Sequence, residues 1–243
     1  MSERLYRELA EWWPVLVPRA SYAHECQELV GLARTLRGEP IRSWLELGSA
    51  TGALASHLPR RVQATLVDRS PEMLALSRRS NPKARHVEAD LRELRLDTRF
   101  DFVLLHDTLM YMTRPADLRA AMRTIAAHLS PDGLAVVLPD VVAETFQEGH
   151  VAGGGEAPDG RAARLLEWHW RPDKRSGTYL AEMSLMLRAP GQPVRAIHES
   201  HTMGLFSRGA IRGAMKDAGM QLVQPPRRFR NMWPELFLGR VRG

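Results

Sequence analysis

Five short apolar runs that alternate with helical segments constrain the fold of this 243-residue chain more than any other feature. The runs span residues 43–48, 62–68, 84–90, 100–106 and 133–140. Runs of this length separated by helices are typical of βαβ units, whose strands form a parallel sheet. We therefore expect an α/β fold built on an open, doubly wound, mostly parallel sheet.

The segments outside these runs predict how the rest of the chain is organised. We expect a helical lid over residues 1–40, with helices near 5–13 and 22–36, and the sheet over residues 41–140. Within residues 141–205 we expect a mobile glycine-rich loop at 149–160. An antiparallel insert should follow it, with strands near 164–170, 178–187 and 194–203. Residues 206–243 predict a closing helix at 207–218 and a last strand at 220–223. No linker divides the chain, so we expect one domain with an elaborated edge.

Composition excludes several classes of protein. Hydrophobic residues make up 44% of the chain and charged residues 26%, as in ordinary globular proteins. No apolar run approaches the roughly 20 residues that a membrane span needs, and the N-terminus lacks a secretory signal, so we expect a cytoplasmic protein with no membrane partner. The single cysteine, Cys26, excludes an intramolecular disulfide and a multi-cysteine metal site, and we expect no metal. The net charge of +6 comes mostly from dispersed arginines, which favours surface composition over a nucleic-acid groove.

The stretch LELGSATGALASHL at 45–58 is the central motif. Gly48 and Gly52 permit a tight turn and the close approach of a ligand to the backbone. We expect a helix to begin near Gly52, so that its free amides face the space above the strand. The spacing E-x-G-x-x-x-G differs from that of dinucleotide-binding proteins, and there is no GK[ST] phosphate loop.

Two carboxylates end the neighbouring runs. Asp68 lies where a carboxylate accepts hydrogen bonds from a ribose diol. Asp90 and the amide of Leu91 are placed to bracket an adenine edge, although Asp90 could instead cap a helix. The alternative for Glu46 and Asp68 is that both are exposed carboxylates at strand ends. We predict that these turns converge on one nucleoside-sized hollow roofed by the N-terminal helices.

These motifs together resemble those of the class I S-adenosylmethionine-dependent methyltransferases. The resemblance covers about residues 41–140 and is carried by ELGSATG, VDRSPEML, EADLREL and FDFVLLHDTLMYM. It implies a Rossmann-like fold, methyltransferase activity, and S-adenosylmethionine as cofactor, with S-adenosylhomocysteine as its product. The cofactor-binding residues that it implies are Tyr22, Glu46, Gly48, Ser49, Ala50, Gly52, Asp68, Arg69, Met73, Asp90, Leu91 and His106. Ser49 and Ala50 depart from the usual residues of the first motif but keep the loop small.

Beyond this core, the chain resembles bacterial methyltransferases that dimethylate the amine of an aminosugar. The resemblance implies a small-molecule acceptor methylated at nitrogen or oxygen. One alternative is a nucleic-acid methyltransferase, but HDTL stands where base-amino methyltransferases carry [DNS]-P-P-[FYW], so we expect no nucleic-acid partner. A second alternative is a non-catalytic adenosylmethionine-binding protein. The oligomeric state stays open, with a homodimer as one option.

Candidate catalytic and acceptor-binding residues follow the fourth run and lie in the flanking segments. His106 and Asp107 are candidates for a general base, although Asp107 could instead cap a helix that begins near Thr108. Candidates for contact with the acceptor are Tyr6, Tyr111, His198 and His201. His198 and His201 lie three apart on a predicted strand, so only one of them can face a site.

Overall fold

The structure is a computed structural model that describes residues 4–241. Its main sheet has seven strands in the order β10-β11-β5-β4-β1-β2-β3. These strands are β1 (Ser43–Leu47), β2 (Gln63–Asp68), β3 (Arg85–Glu88), β4 (Phe100–His106), β5 (Leu129–Leu138), β10 (Met220–Val223) and β11 (Phe237–Val241). The predicted α/β fold is confirmed, since β1–β5 and β10 run in one direction and only β11 runs antiparallel to them.

Helices cover both faces of this sheet. They are α1 (Trp13–Leu16), α2 (Ala23–Arg37), α3 (Pro71–Ser80), α4 (Pro115–Ala127), α5 (Arg208–Asp217) and α6 (Arg227–Met232). Within residues 4–241, none of the helices is long and apolar enough to cross a membrane.

Strand β4 shows why the apolar runs are continuous rather than alternating. Val103 and Leu105 are buried in a core with α4 and α5, whereas Phe102 and Leu104 are buried in a second core with α2. Trp44 of β1 stacks on Phe102 at a centroid distance of 4.3 Å. A strand buried on both faces needs apolar residues at every position, which is the pattern that the sequence shows.

The insert after β5 forms a sheet of its own. This insert sheet has four antiparallel strands in the order β6 (Gly149–Glu156), β7 (Ala162–Trp170), β8 (Thr178–Arg188) and β9 (Arg195–Gly204). The three predicted strands are confirmed, but the predicted mobile loop at 149–160 is wrong, because most of it is strand β6. Gly155 serves close approach, since a Cβ there would lie 2.5 Å from the carbonyl oxygen of Val15. The insert is also not an extension of the main sheet's edge.

The predicted helix near 5–13 is wrong. The N-terminal segment, residues 4–22, contains 3₁₀ turns at Arg4–Tyr6, Ala10–Trp12 and Arg19–Tyr22, together with the short helix α1. Pro14 lies in the first turn of α1, where its missing N–H costs nothing, so it helps to start a helix. Leu5 and Leu9 pack towards the insert sheet, whereas Ala10 packs against α3. A segment buried on opposite sides is not a one-faced amphipathic helix.

The helix predicted to begin near Gly52 is also wrong. Only one 3₁₀ turn, Ala55–His57, follows the glycine-containing loop. Leu58 is extended because Pro59 follows it and disfavours helical backbone at the preceding residue.

The C-terminal prediction is partly confirmed. Ser207 caps α5 by accepting a hydrogen bond from the backbone N–H of Ala210, and the predicted last strand is β10. The sequence did not predict α6 or β11. Strand β11 lies between β5 and β10, and its run FLGRV is too short and too mixed in polarity to be distinguished from a loop.

Gly204 at the end of β9 holds the insert sheet against the turn that follows β4. A Cβ there would collide with the carbonyl oxygen of Met112 and lie 2.9 Å from its carbon. We expect Gly204→Ala to lower the free energy of unfolding by about 1–3 kcal/mol, because backbone must move to make room. Gly213→Ala is the control, since open space surrounds this α5 position and alanine favours a helix by about 0.5–1 kcal/mol. Denaturant unfolding measures both, and equal stability of Gly204→Ala and the wild type would contradict the packing argument.

Candidate active site

A single cavity of about 560 Å³ lies at the carboxyl ends of β1, β2 and β4. The N-terminal segment and the insert sheet also contribute to its walls. Fourteen of the predicted site residues line it: Tyr6, Tyr22, Glu46, Gly48, Ser49, Ala50, Asp68, Arg69, Asp90, Leu91, His106, Asp107, Tyr111 and His201. The three turns therefore line one hollow, as the sequence predicts.

Three predicted residues do not line the cavity. Gly52 lies behind the loop, where a Cβ would collide with the Ser77 hydroxyl, and its carbonyl accepts a 2.9 Å hydrogen bond from Asn81. Met73 is fully buried between Ala10 and Leu76. His198 is on the outer face of the insert sheet, so these three residues are not carried into the proposed site.

The glycine loop, residues 48–52, is held against the end of β2. The carbonyl oxygen of Val67 accepts hydrogen bonds from the backbone N–H groups of Gly48 and Ser49, at 2.8 and 2.9 Å. Gly48 has φ +75°, and a Cβ at this position would lie 2.5 Å from the Thr108 Cγ2. Only glycine fits such a turn and such a contact. Ala50 adopts φ +45°, a strained conformation for a residue with a side chain.

Asp68 completes this attachment. One carboxylate oxygen accepts a 2.8 Å hydrogen bond from the N–H of Ala50, and the other accepts one from the N–H of Ser70 at 2.9 Å. Burial raises the pKa of Asp68, although its backbone hydrogen bonds oppose the shift. Each oxygen keeps a second lone pair for a ligand hydroxyl, so Asp68 can shape the loop and bind a ribose at once.

Asp90 is held by its own neighbour. Its carboxylate accepts hydrogen bonds from the backbone N–H and the guanidinium of Arg92, which lower the pKa of Asp90. Arg92 in turn forms an ion pair with Asp117. Asp90 therefore closes a turn at the rim of the cavity rather than capping a helix.

Glu46 lies under the glycine loop and is 5% exposed, which excludes the alternative of an exposed carboxylate. The indole N–H of Trp44 donates a 3.2 Å hydrogen bond to it. Burial raises the pKa of Glu46 to about 7. Ser49, beside it, has a buried hydroxyl with no hydrogen-bond partner among residues 4–241. A buried polar atom without a partner on a cavity wall is expected where a ligand completes the hydrogen bonds.

His106 is surrounded by carboxylates. Its Nε2 lies 3.3 Å from Glu25 Oε1 and 3.2 Å from Asp107 Oδ2. Burial disfavours the imidazolium, but the hydrogen bond to Glu25 and the charges of Asp107 and Glu25 outweigh burial and raise the pKa of His106 to about 9. The ring is thus protonated at neutral pH, which favours a role in holding Asp107 over a role as general base.

Asp107 does not cap a helix, because only a 3₁₀ turn follows and its cap position makes no side-chain hydrogen bond. Its backbone has φ +47°, and its carboxyl forms a hydrogen bond with Asp140, which follows β5. Burial, together with the charge and hydrogen bond of Asp107, raises the pKa of Asp140 to about 8. The sequence analysis missed Asp140, although it ends the fifth run as Asp68 and Asp90 end theirs.

On the side of the insert sheet, Tyr6, Tyr111 and His201 form an aromatic cluster, which we call the tyrosine–histidine cluster. The two tyrosine hydroxyls are hydrogen-bonded to each other, and the His201 ring lies 5.9 Å from that of Tyr6 and 6.0 Å from that of Tyr111. His201 Nε2 is 2.7 Å from the buried carboxylate of Glu199, which also accepts the N–H of Leu5. His201 Nδ1 is buried and has no partner among the described residues.

His198 lies on the opposite face of β9, with its side chain 66% exposed and paired with Glu182. The prediction that only one of the two histidines can face a site is confirmed. No motif in the sequence predicted Glu199, and none predicted Glu167, a residue of β7 that lines the cavity.

An open sheet whose first loop, second-strand carboxylate and third-strand turn surround a nucleoside-sized hollow is a Rossmann-like nucleoside-binding fold. A family model described as "Methyltransferase domain" matches residues 45–133. A dTDP-4-amino-2,3,4,6-tetradeoxy-D-glucose N,N-dimethyltransferase of Saccharopolyspora spinosa is 30% identical, over 84% of this chain and 81% of that protein. The chain belongs to the class I S-adenosylmethionine-dependent methyltransferases, in the same family as the aminosugar N,N-dimethyltransferases.

Solved structures agree with this assignment. The chain resembles DesVI from Streptomyces venezuelae with a TM-score of 0.80 and 25% identity, over 91% of this chain and 92% of that one. It shares its fold with CalS10 from Micromonospora echinaspora, an amino pentose methyltransferase solved with S-adenosylmethionine bound (TM-score 0.73, 23% identity, 90% of both chains). The protein is thus a methyltransferase whose cofactor is S-adenosylmethionine.

The residues present fit this cofactor. Asp68 keeps free acceptor positions, and the Ser49 hydroxyl lacks a partner among residues 4–241. A cavity of this size also falls within the usual range for small-molecule sites, about 300–1,000 Å³.

We expect Asp68→Ala to weaken S-adenosylhomocysteine binding by about 1–3 kcal/mol, because the Ala50 and Ser70 amides lose their acceptor and the ribose loses a partner. Titration calorimetry measures this affinity. Glu88→Ala is the matched control, since Glu88 is an exposed carboxylate at the end of the neighbouring strand and does not line the cavity. Unchanged affinity in Asp68→Ala would refute the assignment of Asp68.

Proposed function

We propose that this methyltransferase transfers methyl groups to the amine of a nucleotide-linked aminosugar. The observation that carries the proposal is a set of three acidic side chains, Asp107, Asp140 and Glu167, that line the same cavity. Acidic side chains attract an ammonium group. The name of the Saccharopolyspora relative, which identifies an aminosugar as its acceptor, supports the same class of substrate.

We divide the cavity into two halves. The cofactor half contains the glycine loop, Asp68, Asp90 and Leu91, together with Glu46 and Tyr22. The acceptor half contains Asp140, Glu167 and the tyrosine–histidine cluster. His106 and Asp107 lie between the halves, where the donor methyl and the acceptor nitrogen would meet.

The cofactor, when bound, supplies a sulfonium methyl group that a nucleophile can displace in line. The residues of this chain then have three tasks, which are to orient the acceptor, to exclude water, and to leave its nitrogen with a free lone pair. Leu165, Met183 and Met203 of the insert sheet line the cavity and can exclude water above the acceptor. His201 can accept a hydrogen bond at Nδ1, because Glu199 holds the proton-bearing Nε2.

A small-molecule acceptor is also favoured by how the cavity is closed. The N-terminal segment and the insert sheet both wall it, and a duplex base would have to be extruded to enter such a space. The cytoplasmic location predicted from the sequence stays a prediction.

The test is to incubate the protein with S-adenosylmethionine and dTDP-3-amino-3,6-dideoxy-α-D-glucopyranose, and to follow the sugar by mass spectrometry. We expect products that carry one and then two added methyl groups. The same nucleotide sugar with a hydroxyl in place of the amine should stay unmodified. Methylation of the hydroxyl compound, or no methylation of any nucleotide aminosugar, would contradict the proposal.

We expect His201→Phe to raise the KM for the acceptor about three- to tenfold, since phenylalanine fills the space but offers no lone pair. The affinity for S-adenosylhomocysteine should not change, because His201 lies in the acceptor half. His198→Phe is the control on the outer face of the same strand. Steady-state kinetics measures the KM for the acceptor in both variants. Equal KM values would show that His201 does not contact the acceptor.

A further inference from the structure

Asp107 and Asp140 follow adjacent parallel strands, and their carboxyls meet at the cavity wall. We propose that this carboxyl pair takes the proton from the acceptor's ammonium group and so makes the nitrogen nucleophilic before each methyl transfer. The inference rests on the proposed function, since it needs an amine acceptor. It adds Asp140 as a catalytic residue and assigns His106 a positioning role.

The backbone brings the two carboxyls together at a cost. Asp107 adopts left-handed backbone, which is strained for a residue other than glycine. Its N–H donates a 3.0 Å hydrogen bond to the carbonyl of Leu138, so the end of β4 is fixed to the end of β5. Strain retained at a cavity wall indicates that the position of this side chain matters more than local stability.

His106 holds Asp107 in place from the other side. Its Nε2 lies within 3.3 Å of carboxylates on two elements, Glu25 on α2 and Asp107 itself. The Trp233 side chain in turn hydrogen-bonds Glu25. A protonated His106 between two carboxylates cannot accept a proton from a substrate, so the base must be another group.

Other groups face Asp140 from every element around it. Glu167 comes from β7 and Tyr179 from β8, whereas Tyr6 and Tyr22 come from the N-terminal segment and Tyr111 from the turn after β4. The tyrosines are neutral at physiological pH because burial raises the pKa of each one. Asp107 and Glu167 are the negative neighbours of Asp140, and His106 is the positive one.

This environment brings the pKa of Asp140 close to that of an amine. An ordinary aspartate, with a pKa of about 3.9, is too weak a base to deprotonate an amine whose pKa is about 8, the value typical of α-amino groups. The pKa of Asp140, raised to about 8 chiefly by burial and by Asp107, removes this mismatch. Proton transfer between groups of similar pKa is the condition under which general bases work best.

The step balances without any further reagent. The N–H bond of the ammonium breaks and its proton bonds to the Asp140 carboxylate. The freed nitrogen lone pair forms the N–C bond as the methyl's bond to sulfur breaks, and that electron pair stays on sulfur. The new secondary ammonium again carries a proton to lose, so Asp140 must first release its own to water. Although protein groups surround Asp140, it keeps an accessible surface inside the cavity, which allows this release between two methylations.

The first test is the pH dependence of turnover with dTDP-3-amino-3,6-dideoxy-α-D-glucopyranose. We expect Asp140→Asn to lower kcat/KM at pH 7 about 100-fold or more. The deficit should stay constant below about pH 8, where Asp140 and the amine lose their protons over the same range. Above that pH it should shrink about tenfold for each pH unit, because the solvent then supplies neutral amine and Asp140 has little ammonium left to deprotonate. Asp217→Asn, an exposed carboxylate at the end of α5, is the control and should follow the wild type. A deficit that persists unchanged above pH 8, or no deficit at any pH, would overturn the proposal.

The second test needs no acceptor. Carbon-13 labelling of the aspartate carboxyls, with S-adenosylhomocysteine bound, should reveal one carboxyl that titrates near pH 8. Asp140→Asn should remove this transition, and Asp107→Asn should move it towards the usual range. If every aspartate titrates below about pH 5, the proposal is wrong whatever the acceptor is.

The two tests separate this inference from the proposed function. If no nucleotide aminosugar is methylated but the transition near pH 8 is present, the acceptor class is wrong, and an amine of another kind is then used to repeat the pH profile. If the aminosugar is methylated and Asp140→Asn has the pH profile of the wild type, the acceptor class holds and the carboxyl pair is not the base.

Discussion

The fixation of the glycine loop to the end of β2 is the constraint on which the rest of the structure depends. Three backbone N–H groups, those of Gly48, Ser49 and Ala50, are bound by one carbonyl and one carboxylate of β2. The loop therefore crosses the end of the sheet without collapsing into it. Because Gly48 has no side chain, Thr108 can lie directly against it, which brings the end of β4 into the same cavity.

Two parts of the chain that are distant in sequence close this cavity. The N-terminal segment is buried on one side against α3 and on the other against the insert sheet, so it links the main sheet to the insert. The hydrogen bond from the Leu5 N–H to Glu199 fixes the same link at its polar end. That carboxylate also orients His201, so closure of the cavity and orientation of an acceptor-side residue depend on one buried group.

The sequence predicted the features that follow from local periodicity and from strand ends. Parallel strands bring their carboxyl ends to one edge of the sheet, so Glu46, Asp68 and Asp90 could be placed together from their positions alone. The same rule would have found Asp140. The N-terminal segment could not be predicted, because its apolar residues face two partners that are contributed by α3 and by the insert sheet. The glycines of β6 look like a mobile loop until the backbone of Val15 is brought against them.

The protonation of His106 is the other result that sequence could not supply. A histidine after the fourth strand is an attractive general base, but Glu25 of α2, which precedes the first strand of the sheet, reaches it only in three dimensions. Two carboxylates around one imidazole make it a cation that positions its neighbour. The proposed general base is therefore the carboxyl pair of Asp107 and Asp140 rather than His106.

We infer that one cavity holds the cofactor on one side and leaves an acid-lined space on the other. A crystal structure with S-adenosylhomocysteine bound tests this inference. The account predicts the ribose on Asp68, the glycine loop unchanged, and the sulfur facing Asp107 and Asp140 across an open acceptor half. A ligand whose sulfur faces away from these aspartates, or a glycine loop that must rearrange to admit it, would contradict the account.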